Sequence, residues 1–243
     1  MRANPVGETR VAAVLGIGPA LGSSIAHRFA REGYAVALMA RRREEVDAVG
    51  DAISRAGGRA LAVPTDASQA ESVAAGFARV RDELGAPDVF VYNAGAFEMA
   101  GILELSPERF EQAWRAGCFG AFLGAREVLP AMLERGRGTI LFTGATASLR
   151  GGARFAGLAV GKFGLRALAQ SIAREVGPRG VHVAHIVIDG QIDTPRIRRA
   201  QPDRDAKTLL APDAIAEQYW NLHVQDPSAW TLEIDLRPAV EKF

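Results

Sequence analysis

Short runs of consecutive apolar residues recur along this chain and alternate with stretches of helical spacing. The runs are RVAAVLGI, YAVALMA, RALAVPTD, PDVFVYNAG, GTILFTGAT and VHVAHIVIDG. A strand wetted on one side alternates apolar and polar residues; a strand covered on both sides does not, and these do not. Between them lie GSSIAHRFAREG, with Ile25, Ala26 and Phe29 on one face and Gly33 as a stop, and REEVDAVGDAISRAG, ended by Gly57 and Gly58. In SQAESVAAGFARVRDELG, Ser68 and Glu71 read as a capping box. Two longer helices follow, SPERFEQAWRAGCFGAFLGAREVLPAMLERG and FAGLAVGKFGLRALAQSIAREVG, and later PDAIAEQYWNLHVQ. Buried strands joined by helices make a parallel sheet with helices on both faces, and right-handed crossovers wind it doubly. The expected fold is therefore α/β, one doubly wound parallel sheet of about seven strands in a single domain, 1–243.

The last strand is of another kind. In WTLEIDL, Trp230, Leu232, Ile234 and Leu236 alternate with polar residues as a half-buried strand should, and Pro238 stops it. The tail AVEKF behind it suggests contact with a neighbouring subunit or, equally, burial of Phe243 against its own chain.

Bulk composition excludes several function classes. Apolar residues are 48% of the 243, which suits a large core and not a disordered chain. A net charge of +1 gives no electrostatic case for nucleic acid or an anionic membrane surface. The single cysteine, Cys118, can form no intrachain disulfide and reads as a structural thiol within a helix. The apolar run after the polar MRANPVGETR is too short for a signal peptide, and no segment approaches the ~18 apolar residues of a membrane span, so a cytoplasmic protein is expected. His27, His182, His185 and His223 lack metal-ligand spacing with acids or cysteine, so no metal is expected.

Ligands of doubly wound sheets bind beyond the carboxyl ends of the strands. The loops there are GIGPALG, ARRR, TDAS, NAGAFE, TGATAS and DGQIDT. Gly16, Gly18 and Gly22, with Leu21 beside them, stand between the first strand and its helix, where glycine lets the backbone turn and approach a pyrophosphate. This is a Rossmann-type arrangement. An NAD site usually places an acid at the end of the second strand; here Arg41, Arg42 and Arg43 stand there instead. Guanidinium groups suit a 2′-phosphate, so NADP is favoured over NAD; the plainer reading is solvated residues opening a helix.

With these loops in this order the sequence resembles the short-chain dehydrogenase/reductase family over essentially its whole length. The family pattern TGxxxGxG is met by LGIGPALG, with Leu15 for the threonine and Ala20 for a glycine. TD supplies Asp66, which the resemblance implies holds the adenine. YNAG keeps Asn93, Ala94 and Gly95, with Tyr92 for the first asparagine. DGQIDT keeps Gly190 and Thr194, the latter implied to meet the nicotinamide amide or the phosphates, while Asp189 replaces a proline. The resemblance further implies a small-molecule substrate and a homodimer or homotetramer built through the long helices and the last strand.

The family's Asn-Ser-Tyr-Lys tetrad fares differently. Lys162 fits the lysine, which the resemblance implies holds the nicotinamide ribose and lowers the tyrosine's pKa. The tyrosine position, four residues earlier, is Leu158; the serine position is Ala145; the asparagine falls at Gly117. Neither Tyr34, Tyr92 nor Tyr219 comes into register by a small shift. A positioned general acid contributes about 10²–10⁴ in rate, so ketone reduction by the family's route should be badly impaired.

Three outcomes remain open. Another group donates the proton: Thr146 or Thr143, Asp189, or water anchored on Lys162, although each threonine reads more readily as a strand-end residue and Asp189 could simply cap its loop. Or the substrate needs no proton, as an iminium carbon does not. Or redox function is gone, leaving a non-redox or regulatory nucleotide-binding protein. Glu98 reads as a residue of the cleft mouth or a solvated acid, and His185 keeps a small site role.

Overall fold

The computed structural model describes residues 9–240; the tail end at Phe243 and most of MRANPVGETR lie outside the described residues. In chain order the elements are β1 Val11–Leu15, α1 Leu21–Arg31, β2 Ala35–Ala40, α2 Arg43–Arg55, β3 Ala60–Pro64, α3 Ala70–Glu83 and β4 Val89–Tyr92. Then come α4 Pro107–Trp114, α5 Gly120–Arg135, β5 Gly138–Thr143, α6 Ala156–Val176 and β6 Val181–Ile188. The chain ends with β7 Gln191–Ile192, α7 Pro195–Ala200, β8 Leu209–Leu210, α8 Pro212–His223 and β9 Glu233–Leu236.

The main sheet is seven-stranded, in the order β3-β2-β1-β4-β5-β6-β9, and parallel throughout. Every residue of VAAVL in β1 is buried, and successive residues enter opposite cores. Ala12 and Val14 join Ile25, Phe29, Val46, Ile53, Ile215 and Tyr219 from α1, α2 and α8. Val11, Ala13 and Leu15 join Phe77, Val80, Val128, Met132 and Leu165 from α3, α5 and α6. The doubly wound sheet with helices on both faces is thus as the apolar runs required. Strand order reverses between β1 and its neighbours β2 and β4, which opens the crevice at their carboxyl ends.

Several local expectations need correction. Ser68 does not cap α3: its N–H and hydroxyl both donate to Asp66 Oδ1, at 2.9 and 2.7 Å, and the capping position falls to Gln69 with no side-chain cap. β9 is shorter than WTLEIDL, because Trp230 leaves the strand to stack on His182 with centroids 4.8 Å apart. The pair β7–β8 had no apolar signature.

The helices α4 and α5 run on through a π-helical turn, Arg115–Phe119. A π turn withholds a backbone carbonyl from its usual donor, and here the Tyr92 hydroxyl donates to Ala116 O at 2.6 Å. By length and composition this helix, Pro107–Arg135, is apolar and long enough to cross a membrane. Its face bearing Ala121, Ala125, Val128 and Met132 is packed on the sheet.

Candidate functional site

The site is built from backbone first. Gly16 has φ +114°, and a Cβ there would overlap the backbone of Asn93 and Ala94. Asn93 Nδ2 donates to Gly16 O at 2.8 Å, tying the β1 loop to the β4 loop. A Cβ on Gly22 would overlap Gly16 O, whereas one on Gly18 would meet nothing within 4 Å. Gly16 and Gly22 are therefore required for the chain's own packing, and Gly18 is open toward whatever occupies the crevice. Leu21 begins α1 and is buried, and no side chain caps that helix end. Such a glycine loop at a helix N-terminus fits a pyrophosphate.

In front of this loop is a cavity of about 790 Å³. Gly16, Gly18, Arg41, Arg42, Asp66, Asn93, Ala94 and Gly95 line it, and so, from across the cleft, do Glu98, Arg109, Gln112 and Ala113. Arg42 pairs with Glu45, while Arg41 has no acid partner among the described residues. Arg43 belongs to α2 and pairs with Asp47 at 3.3 Å. Glu98, weighed from sequence as a mouth residue, lines the cavity and is paired with Arg109. Nothing in the sequence pointed to Arg109 or Gln112.

Lys162, Thr146 and Asp189 do not line that cavity. Lys162 is 7% exposed, and its Nζ donates to Thr143 O at 2.7 Å. It also lies beside Gly95, where a Cβ would be 3.6 Å from Nζ. Burial pushes its ammonium down to about 8. Leu158 stands one turn earlier on α6. Thr146 Oγ1 donates to Asp189 Oδ1 at 2.5 Å, and Arg237 is 3.6 Å from the other carboxylate oxygen. Thr194 accepts from Ile197 N–H at 3.1 Å, which makes it the N-cap of α7.

A buried polar chain supports the loop after β5. Ala145 N–H donates to Ser148 Oγ at 3.1 Å, and Ser148 Oγ is 3.3 Å from His185 Nε2. His185 Nδ1 is 2.9 Å from Glu233 Oε2, and Arg166 grips both oxygens of Glu233 at 2.7 Å. Burial holds His185 below its ordinary pKa, so the neutral ring donates to Glu233 and accepts from the serine hydroxyl. A Cβ on Gly144 would overlap the His185 ring. His185 therefore supports the site from beneath. Ser148 is fully buried and open to no substrate.

Tyr34, Tyr92 and Tyr219 are all buried in cores. Tyr34 OH meets His223 Nε2 at 2.6 Å and Tyr219 OH meets Thr143 Oγ1 at 2.7 Å. Burial raises all three phenols, Tyr34 to about 12. Cys118 is half-buried in the π turn with its thiol pKa raised by burial, as a structural thiol would be. Among the described residues no group of three or more His, Cys, Asp or Glu side chains could hold a metal ion.

A parallel sheet in this order, with a glycine loop at its switch point, defines a Rossmann-type α/β protein. The chain belongs to the short-chain dehydrogenase family, whose model matches residues 10–205. A short-chain dehydrogenase/reductase of Armillaria gallica is 32% identical over 224 residues, 91% of this chain and 84% of that protein. The structure of a short-chain dehydrogenase from Rhodopseudomonas palustris is similar with TM-score 0.82 and 39% identity, covering 94% of this chain and 98% of that one. A metagenomic short-chain oxidoreductase, solved in complex with NADP, is similar with TM-score 0.84 and 26% identity, over 96% and 99% of the two chains. This chain is thus a short-chain oxidoreductase.

Proposed function

We propose that the protein is an NADP(H)-dependent oxidoreductase of a small-molecule substrate in which no tyrosine on α6 delivers the proton. The observation that carries this is Lys162, a buried cation beside the cavity-lining Gly95, with Leu158 and not a phenol one turn away.

NADPH, when bound, supplies the hydride. Gly16, Gly18, Leu21 and Gly22 give the pyrophosphate a backbone it can approach. Arg41 and Arg42 at the end of β2 take the 2′-phosphate, Arg42 by exchanging Glu45 for it. Asp66 takes the adenine, as the family resemblance implies, and Asn93, Ala94 and Gly95 line the same cavity. The Lys162 ammonium holds ribose hydroxyls, and Thr194 stands at the amide end. NADP in place of NAD is supported by the arginines and by the NADP-bound relative.

The proton then has two sources. Lys162, titrating at about 8, is poised to give one up near neutral pH, directly or through water. Thr146, held by Asp189, offers a hydroxyl beside the position of Ala145. A cationic iminium substrate would need neither, and Leu158 would suit its apolar body. The empty tetrad positions also favour a second reading, a non-redox or regulatory nucleotide-binding protein.

Fluorescence titration with NADPH and NADH tests the cofactor; binding of neither sinks both readings. Stereospecific transfer of deuterium from labelled NADPH to product decides for redox.

The reading takes the chain as one domain and a cytoplasmic homodimer or homotetramer. Support for a second copy is the exposed apolar surface of the long helices: Phe110, Trp114, Phe122, Val160 and Phe163. Light scattering on Phe163→Asp tests it, and an unchanged mass would argue against that face.

A further inference from the structure

Above Lys162 the structure carries side chains that nucleotide binding leaves unused. Phe155 is the N-cap of α6, three residues before Leu158 and seven before Lys162, and Leu158 and Lys162 share one face of the helix. From Lys162 to Phe155 is about 10 Å along the axis at the helical rise. Phe155 meets Phe97 edge to face, with ring centroids 5.7 Å apart. Phe97 follows Gly95 by two residues and is 61% exposed. Over its ring, 5.1 Å from the centroid, lies the guanidinium of Arg196 from α7. Three separate segments thus converge in one column that rises from a buried ammonium, through leucine and two aromatic rings, to an arginine.

The charge of that arginine is unspent. Its neighbours are matched: Arg198 with Asp193 at 2.6 Å, Arg154 with Glu104 at 3.0 Å, and Arg109 with Glu98. Arg196 has its ring contact and, among the described residues, no carboxylate. A guanidinium laid on an aromatic face is oriented while its N–H edge stays available, and that edge matches a carboxylate bidentately. Arg199, one turn further along α7 and exposed, adds positive field to the same side.

We propose that this column is the substrate subsite. Leu158, Phe155 and Phe97 take a flat apolar body, and Arg196 takes a carboxylate. The substrate class is then an aromatic or similarly flat carboxylate whose acid lies at the opposite end of the body from its reacting atom. A flat body slides along ring faces without demanding a particular hydrogen bond, so Arg196 sets which end points outward. The inference rests on the oxidoreductase reading only for the identity of the reacting end.

The test needs no turnover. 4-Biphenylcarboxylate and 4-biphenylcarboxamide are titrated calorimetrically into the full chain, with and without NADP⁺. The acid should bind about tenfold tighter than the amide, since only the acid makes a charged bidentate contact. Arg196→Gln should reduce the acid to the level of the amide, and Phe97→Ala should weaken both. Both side chains are exposed, and an unchanged melting temperature checks that the variants fold. Equal affinities for acid and amide, binding of neither, or an acid preference that survives Arg196→Gln overturns the subsite. If the acid binds as expected but no flat keto or imino acid takes deuterium from labelled NADPH, the subsite stands and the redox reading falls. If neutral substrates are reduced and the acids are not bound, the redox reading stands and the subsite falls.

Discussion

Gly117 and Gly161 meet backbone to backbone. A Cβ on Gly117 would lie 3.1 Å from Gly161 Cα, and one on Gly161 3.2 Å from Gly117 Cα. The first is in the π turn and the second immediately precedes Lys162 on α6. Close packing of these helices therefore occupies the space that a side chain at 117 would use. The position where the family resemblance implies an asparagine coincides with a tight helix contact.

That contact predicts the outcome of restoring an asparagine. Gly117→Asn should force the π turn from α6 and cost about 1–3 kcal/mol, the usual range for overpacking a close contact. Thermal unfolding reads this as a fall of several degrees. An unchanged melting temperature would show that the helices separate freely and that the site can be refilled.

Lys162 carries a stability cost with a definite pH dependence. Its folded pKa of about 8 lies below the ordinary 10.5. Between those values the unfolded chain holds the proton and the folded one does not, so stability rises with pH across that window. Below pH 8 both states are protonated and the burial cost is constant. Lys162→Met should thus stabilise the fold at pH 7 by about 1–2 kcal/mol, a gain that shrinks as pH rises toward 10.5. The same variant should lose hydride transfer, and in the unaltered protein that transfer should decline as pH is raised through about 8. Denaturant melts at pH 7 and 10 and a pH–rate profile check the two halves.

What was readable in the sequence was what adjacent residues decide. VAAVL and AVALMA state that their strands are covered on both faces, and the glycine loop announces a crevice. What was not readable depends on partners far along the chain. Ser68 looks like a cap until the Asp66 carboxylate takes both its donors. Tyr92 was visible as a departure, but its purpose lies in a carbonyl 24 residues on. Glu233 under His185 follows from the register of β6 against β9, which no local pattern encodes. Arg196 and Phe97 likewise come together only through the third dimension.

His223 predicts an acid weakness. It is wedged between Tyr34 OH and Thr139 Oγ1, and burial pushes its pKa down to about 4. Between its ordinary 6.5 and 4 the unfolded state binds the proton and the folded state does not. Stability should therefore fall as pH drops through that window and level off below it. His223→Asn should cost about 1–3 kcal/mol at pH 7 through two lost hydrogen bonds, and less at pH 5. Urea unfolding at the two values distinguishes this from a pH-independent packing loss.

Arg41 and Arg42 should set the choice of nucleotide. Arg41→Asp with Arg42→Ser removes both guanidinium groups from the end of β2 and puts an acid where a ribose hydroxyl could donate to it. NADPH affinity should fall about 100-fold, two charge-assisted contacts being lost, while NADH affinity holds or improves. Parallel losses for both nucleotides would mean that the arginines maintain the loop and do not read the phosphate.

The most direct probe of the proposed function is to supply a phenol where the family resemblance implies one. Leu158 lies one turn from Lys162, so a phenol placed there would have a buried ammonium within reach to lower its pKa. Ala145 begins the loop that Ser148 and His185 hold, and its backbone N–H is already committed, so a side chain added there inherits a fixed position. Leu158→Tyr with Ala145→Ser should therefore raise NADPH-dependent reduction of simple ketones by about 10²-fold or more, the range of a positioned general acid. Phe155 and Phe97 would be untouched, so binding of 4-biphenylcarboxylate should change less than the rate does. A gain in rate without a gain in binding would locate the missing function at the proton. No gain at all, with NADPH still bound, would mean that the nicotinamide is not posed for transfer and would favour the non-redox reading.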